Sequence, residues 1–245
     1  MKLRCLYLFL IYVFGCSLTL AQGLKEDVLN IQKQELADMQ ETEFGDIRDL
    51  ISGREHQAIY HFTLGHPFWQ QKAWFLGDLR TDLHYYAGLT MRYDVYRDLL
   101  LYLPDSLSVD YMAVNQDQVE YFSLEGTHFF HLGIGDERDA MAELEMEKGY
   151  YQLIYKGSLL MYLKNRKELK GKSGDPQHHS EFYDRLSRYI YLDGKFYLIK
   201  KRKHLLKALP KHKNEIKAYL RKNQVNIKKL SDAGFARLFS YYDSL

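Results

Sequence analysis

Between Leu89 and Val95 every second residue is large and apolar: Leu89, Met91, Tyr93 and Val95 alternate with Thr90, Arg92 and Asp94. Side chains of an extended strand project to opposite faces in turn, so this spacing gathers the apolar set on one face and leaves Gly88, Thr90, Arg92 and Asp94 on the other. A helical period would scatter the same residues around its axis. The run from Trp74 to Leu103 therefore predicts a β-meander, with a second alternating set at Leu99, Leu101 and Leu103. Gly77-Asp78, Tyr86-Ala87-Gly88 and Tyr93-Asp94 mark places where the chain turns or another backbone comes close.

The same vocabulary continues on either side. Ala58 to Phe62, Leu107 to Val114, Gln118 to Leu124 and Thr127 to Leu132 are short runs of aromatic and aliphatic residues broken by Gly, Asn and Asp, as in an antiparallel β-unit. Asn115-Gln116-Asp117 and Glu125-Gly126 have the composition of hairpin turns. Gly133 to Glu147 is acidic and poor in large apolar residues, which suits a surface excursion or short helix. Strands resume at Gly149 to Tyr155 and Ser158 to Leu163, and Glu168 to Ser180 has the composition of a polar loop. Tyr189 to Leu192, Asp193-Gly194 and Lys195 to Ile199 give the clearest hairpin, because Asp-Gly supplies the positive φ angles of a two-residue turn.

After Ile199 the period becomes helical. Lys203 to Leu209 stops at Pro210, Lys211 to Asn223 repeats Ile216, Tyr219 and Leu220, and Ser231-Asp232 caps a last helix striped with Phe235, Leu238, Phe239 and Tyr242. At the other end, Leu24 to Met39 has roughly helical apolar spacing, and a short helical turn is expected from Asp46 to Ile51. The expected fold is α+β: an antiparallel β-meander or partly closed sheet with an N-terminal helix and a C-terminal helical bundle. Residues 22–56 form the N-terminal helical segment, 57–201 the β-rich domain, and 202–245 the basic helices packed on it.

Met1 to Ala21 reads as a secretory signal: Lys2 and Arg4, an apolar run from Cys5 to Phe14, then Thr19-Leu20-Ala21 before Gln22. The run is short for a membrane span of ~20 residues. Cys16 offers an alternative, lipoprotein processing, although Phe14 is bulky for that site. Both cysteines lie in this segment, so a chain cleaved after Ala21 has no disulfide and depends on its apolar core.

Charge is divided unevenly. Leu24 to Gly194 holds 18 Lys and Arg against 29 Asp and Glu, a balance of −11, whereas Lys195 to Lys229 holds 13 basic residues and one acid, Glu215, a balance of +12. With Ile216, Tyr219 and Leu220 turned inward, Lys213, Lys217, Arg221 and Lys222 fall outside the apolar stripe and are the first candidate contact residues. An envelope protein or an anionic surface fits them; export makes nucleic acid an unsuitable partner, and any membrane association would be peripheral. The second candidate is Gly65-His66-Pro67-Phe68-Trp69 with Trp74, where Trp69 and Trp74 form either a stacking platform for sugar or peptide or one end of the sheet core.

Other chemistry is weakly encoded. His128 and His131 are three apart and, on a strand, face opposite ways; neither a His-Glu-x-x-His motif nor a Cys pair is present, and no metal or cofactor is expected. Gly171-Lys172-Ser173-Gly174 lacks the earlier glycine of a phosphate loop. Asp78, Asp82, Asp94 and Asp98 have the residue type of glycosidase carboxylates but sit where turn formers are common.

Gly65-x-Pro67-Phe-Trp69, Trp74-x-x-Gly77, Tyr86-x-Gly88-x-x-Met-x-Tyr93-Asp94, Val119-x-x-Phe122, Phe129, Gly149-Tyr150-Tyr151 and the ending from Lys203 through Ile216-Lys-Ala-Tyr219 to Leu238-Phe-Ser-Tyr241-Tyr242-x-x-Leu245 together resemble uncharacterised exported β-rich proteins of Bacteroidota. The resemblance implies a cell-envelope location, in the periplasm or at the outer-membrane periphery of a Gram-negative bacterium, and a β-rich body with a helical C-terminus. It carries no catalytic residue. The functional expectation is a non-enzymatic binding or interaction module, with a periplasmic hydrolase using Asp carboxylates, or a structural subunit of an envelope complex, as alternatives.

Overall fold

A computed structural model describes residues 51–55, 63–81, 84–104, 111–171 and 180–245. The expected helix from Leu24 to Met39 and strand from Ala58 to Phe62 lie outside the described residues. The described chain forms one sheet of twelve strands: β1 (Ile51–Glu55), β2 (Thr63–Leu64), β3 (Phe75–Thr81), β4 (Tyr85–Asp94), β5 (Leu99–Tyr102), β6 (Met112–Val114), β7 (Val119–Leu124), β8 (Thr127–Leu132), β9 (Gly149–Lys156), β10 (Leu160–Gly171), β11 (Ser180–Leu192) and β12 (Lys195–Leu198). Their order is β1-β6-β5-β4-β3-β7-β8-β9-β10-β11-β12, with β2 beside β11. The path is open, and its pairs are antiparallel except β2 with β11, which is parallel, so the sheet is mixed rather than purely antiparallel. It also begins earlier than the sequence indicates, because β1 lies inside the stretch assigned to the N-terminal helical segment.

The alternation at Leu89 to Val95 holds with one change. Met91, Tyr93 and Val95 are buried, but so are Arg92 and Asp94, because this end of β4 is covered on both faces. Gly77-Asp78 and Tyr86-Ala87-Gly88 are not turns; they face each other across β3 and β4 at a bulge. Gly77 is a close approach, since a Cβ there would lie 1.8 Å from the Ser123 carbonyl oxygen on β7. Gly88 takes φ +67° and donates its N–H to Asp78 Oδ1 at 3.0 Å.

Glu125-Gly126 and Asp193-Gly194 are hairpin turns with positive φ at all four residues. Asn115-Gln116-Asp117 is not: β6 pairs with β1 and β5, β7 with β3 and β8, and the link is a 3-10 turn capped by Asn115 Oδ1 accepting from Asp117 N. The hairpin of β10 and β11 is longer than expected, running in register from Leu160 opposite Tyr191 to Gly171 opposite Ser180, through residues that look like loop in sequence.

Four α-helices accompany the sheet among the described residues: α1 (Arg138–Ala142), between β8 and β9, and α2 (Arg202–Ala208), α3 (Lys213–Lys222) and α4 (Asp232–Asp243), after β12. Ser231 Oγ caps α4 by accepting from Gly234 N at 3.2 Å. One core cluster, around Trp69, Phe75, Tyr93, Phe122, Phe129 and Tyr150, belongs to the first part of the sheet. A second joins Met161 and Ile190 of the long hairpin to Leu205, Ile216, Phe235 and Phe239, packing α2 to α4 on β9 to β12. A third, around Met141, Tyr151, Tyr162, Tyr189 and Phe196, seats α1 on the opposite face. The strands between these helices thus have packed side chains on both faces.

Candidate functional site

The basic segment starts at the last strand and runs through α2 and α3. On α3, Ile216 and Leu220 are buried and Tyr219 is half-buried, its ring stacked on Tyr241 at 4.6 Å. The 100° step of the helix then leaves Lys213, Lys217, Arg221 and Lys222 exposed, as the apolar stripe requires. Lys213, Lys217 and Arg221 follow one another at i,i+4, an arrangement of like charges that costs roughly 0.2–0.5 kcal/mol per pair. Among the described residues, no ion pair involves a cation between Lys195 and Lys229.

In the same basic segment, β12 is the last strand of the sheet, and a groove of about 380 Å³ follows its outer edge. Phe196 and Leu198 point to the face covered by α1, Tyr197 to the face covered by the later helices. One wall of the groove carries Glu143 and Leu144, just past α1; the other carries Lys200, His204 and Lys207. His204 Nδ1 accepts from Lys200 N at 3.2 Å, and burial together with Lys203, Lys201, Lys200 and Lys207 lowers its pKa below the ordinary 6.5, so the ring is neutral at neutral pH. The charged side chains of the groove are Lys195, Lys200 and Lys207, set against Glu143.

Trp69 and Trp74 do not form a platform. Trp69 is 7% exposed and lies edge-on to Phe75 at 5.6 Å and Phe129 at 5.3 Å, inside the first core cluster. Trp74 is half-buried, and its ring lies 4.1 Å from the Arg92 guanidinium, which is also 3.8 Å from the Phe68 ring. Arg92 donates to the Lys72 carbonyl at 3.0 Å, so the stacking surface is filled by the chain's own cation.

The carboxylates proposed for hydrolysis have structural partners. Asp94 Oδ1 accepts from Tyr96 N and Arg97 N, both at 3.0 Å, as a turn former does. Asp78 holds the bulge at Gly88, and Asp82 lies outside the described residues. Asp98 has the role that sequence reasoning missed. Its Oδ2 accepts from Lys164 Nζ at 2.7 Å and Tyr150 N at 3.3 Å, while Oδ1 accepts from the Tyr93 hydroxyl. Lys164 also donates to the Tyr150 carbonyl at 3.0 Å and lies 4.9 Å from the Tyr151 ring. Burial pushes Lys164 below its ordinary pKa and Asp98 opposes that shift; burial also raises the Tyr93 hydroxyl well above 10, keeping it protonated as a donor. The one sequence signal was Lys164 itself, a charge following the apolar run Leu159 to Leu163.

His131 projects inward and His128 outward, on opposite faces of β8. Among the described residues, no group of three or more His, Cys, Asp and Glu is placed to hold a metal ion. No protein-family model, curated protein or solved structure matches the chain.

Proposed function

We propose that the chain is an exported cell-envelope protein, akin to the Bacteroidota proteins its sequence resembles, that acts by binding an acidic partner rather than by catalysis. The observation that carries this reading is the exposure of Lys213, Lys217, Arg221 and Lys222 on α3, without ion pairs among the described residues, in a segment whose one acid is Glu215. Such a patch attracts negative charge over a Debye length and is strained by its own repulsion until a partner neutralises it. Its apolar side anchors it to the sheet, so the face is held rigid.

A structural subunit of an envelope complex would use the same face. The hydrolase alternative is weaker, because Asp94 is engaged by the turn and Asp98 by Lys164 and Tyr93. The test is capture from an envelope extract with wild type and the Lys213→Glu, Lys217→Glu, Arg221→Glu triple variant, followed by identification of the captured protein. A protein retained by wild type at low salt, released by salt and lost with a folded triple variant supports the proposal; identical capture by both contradicts it.

A further inference from the structure

We infer that the free edge of β12 is a strand-addition site for an acidic, extended polypeptide segment. This rests on reading Lys195 to Lys229 as a contact surface and goes further by giving the place and geometry of capture. The two-residue turn at Asp193-Gly194 sets the register Leu192 with Lys195 and Ile190 with Tyr197. In such a hairpin these are the pairs that exchange hydrogen bonds, and the bond from Ile199 N to the Arg188 carbonyl at 2.8 Å continues the same parity. The N–H and C=O groups of Phe196 and Leu198 therefore point away from β11 into the groove. No strand pairs with this edge among the described residues, and no charge or proline at Phe196 or Leu198 blunts it.

The walls select the occupant. A strand laid along β12 presents alternate side chains to the two sides. One set meets the wall of Lys200 and Lys207, with Lys195 on the same strand face as Tyr197; the other meets Leu144. Three lysines against the single Glu143 call for a segment with acidic residues at every second position and apolar or small residues between. A second copy of this chain would set the same lysines against each other, so self-pairing along β12 is opposed by charge. Main-chain bonds would supply affinity and the lysines the choice of sequence.

The experiment uses the 15N-labelled protein, expressed without residues 1–21, and an acetylated, amidated octapeptide alternating Val and Glu, with an octapeptide alternating Val and Lys as control. Amide exchange is followed at Phe196 and Leu198, with Lys195 and Tyr197 as internal references already bonded to β11. The expected result is that the acidic peptide slows exchange at Phe196 and Leu198 by about tenfold or more and leaves the references unchanged. Lys200→Glu with Lys207→Glu should abolish this, and Lys213→Glu with Lys217→Glu on α3 should not. Binding that shifts α3 resonances and is lost only with the α3 variant overturns strand addition while leaving the basic-face reading standing. Absence of binding, equal binding of the basic peptide, or protection that grows with protein concentration alone, as in self-pairing, each overturns the inference.

Discussion

Asp98 and Lys164 are 66 positions apart in sequence, yet Lys164 Nζ donates to Asp98 Oδ2 at 2.7 Å. Asp98 ends the turn after β4, and Lys164 lies on β10. Five strand spacings separate β4 from β10 in the sheet order, about 24 Å if the sheet were flat. The contact therefore requires a strongly curled sheet. Tyr96, in the same turn, meets Phe182 of β11 with ring centroids 5.4 Å apart, and the segment from β2 to the bridge between Phe68 and Asp94 runs from β11 to β4. The strand order is open from β1 to β12, but the sheet is cross-tied by these side chains and by the backbone of the segment from β2 to Phe68.

Breaking the tie from one side should therefore be costly. Asp98→Ala leaves the Lys164 ammonium, with 3% of its side chain exposed, without its carboxylate, and a loss of about 3–5 kcal/mol is expected in urea denaturation. Gly149→Ala should destabilise by the same route, because a Cβ there would lie 1.8 Å from Asp98 Oδ2. Wild-type denaturation midpoints for both variants would mean that the seam does not hold the sheet.

His131 makes stability depend on pH. Its Nδ1–H donates to the Val119 carbonyl at 3.0 Å, and burial lowers its pKa below the ordinary 6.5. The unfolded chain thus takes up a proton that the folded chain resists. This penalty is absent above the unfolded pKa and grows as pH falls below it. The drop in stability between about pH 7.5 and pH 5.5 should be smaller in His131→Gln than in wild type. His66 and His204, shifted in the same direction, remain in both proteins and cancel in the comparison. An unchanged pH profile would place the acid sensitivity elsewhere.

The C-terminal end of the last helix is tied to the turn between β9 and β10 by one carboxylate. Asp243 accepts from Tyr155 OH at 2.6 Å, Ser158 N at 3.1 Å and the Ser158 hydroxyl, and a Cβ on Gly157 would lie 2.0 Å from Asp243 Oδ2. Burial raises the Asp243 pKa, but the bonds from Ser158 and Tyr155 outweigh it and the net shift is downward, so the contact is present at neutral pH and lost as pH falls through its folded value. Because the site is exposed, Asp243→Ala should cost only about 1 kcal/mol. Gly157→Ala should cost at least as much, and the double variant less than the sum. Additive losses would show that the two residues are not coupled.

What the sequence disclosed was local. Glu125-Gly126, Asp193-Gly194, the Ser231 cap and the stripe of Ile216, Tyr219 and Leu220 each encode their structure within a few residues, and each is found. The polar ends of β10 and β11 were hidden because Lys164 to Gly171 and Ser180 to Arg188 are held by long in-register pairing rather than by an apolar alternation. Asn115 to Asp117 misled because its turn chemistry is real, although the strands it joins are not neighbours. The Asp98–Lys164 pair and the separation of Trp69 from Trp74 depend on strand order and curl, which no local pattern carries. The cationic face of α3 was legible from helical spacing; the groove beside β12 was not, since it requires α1 and α2 to cover opposite faces of one edge strand.

Processing offers an independent check on export. A chain expressed with Met1 to Ala21 in a Gram-negative host should yield a mature species beginning at Gln22 by intact mass, recovered without detergent. A species beginning at Cys16 with added acyl mass would make the protein a lipoprotein.

The most direct test of the binding account is photo-crosslinking in intact cells of the organism that makes the protein. A photoreactive amino acid is placed in turn at Lys213, at Lys217 and at Leu76, the latter 65% exposed on β3. The account predicts one shared protein adduct at Lys213 and Lys217, weakened by raising the salt before irradiation, and its absence at Leu76. An adduct at Leu76 alone, or none at the two lysines, would contradict it.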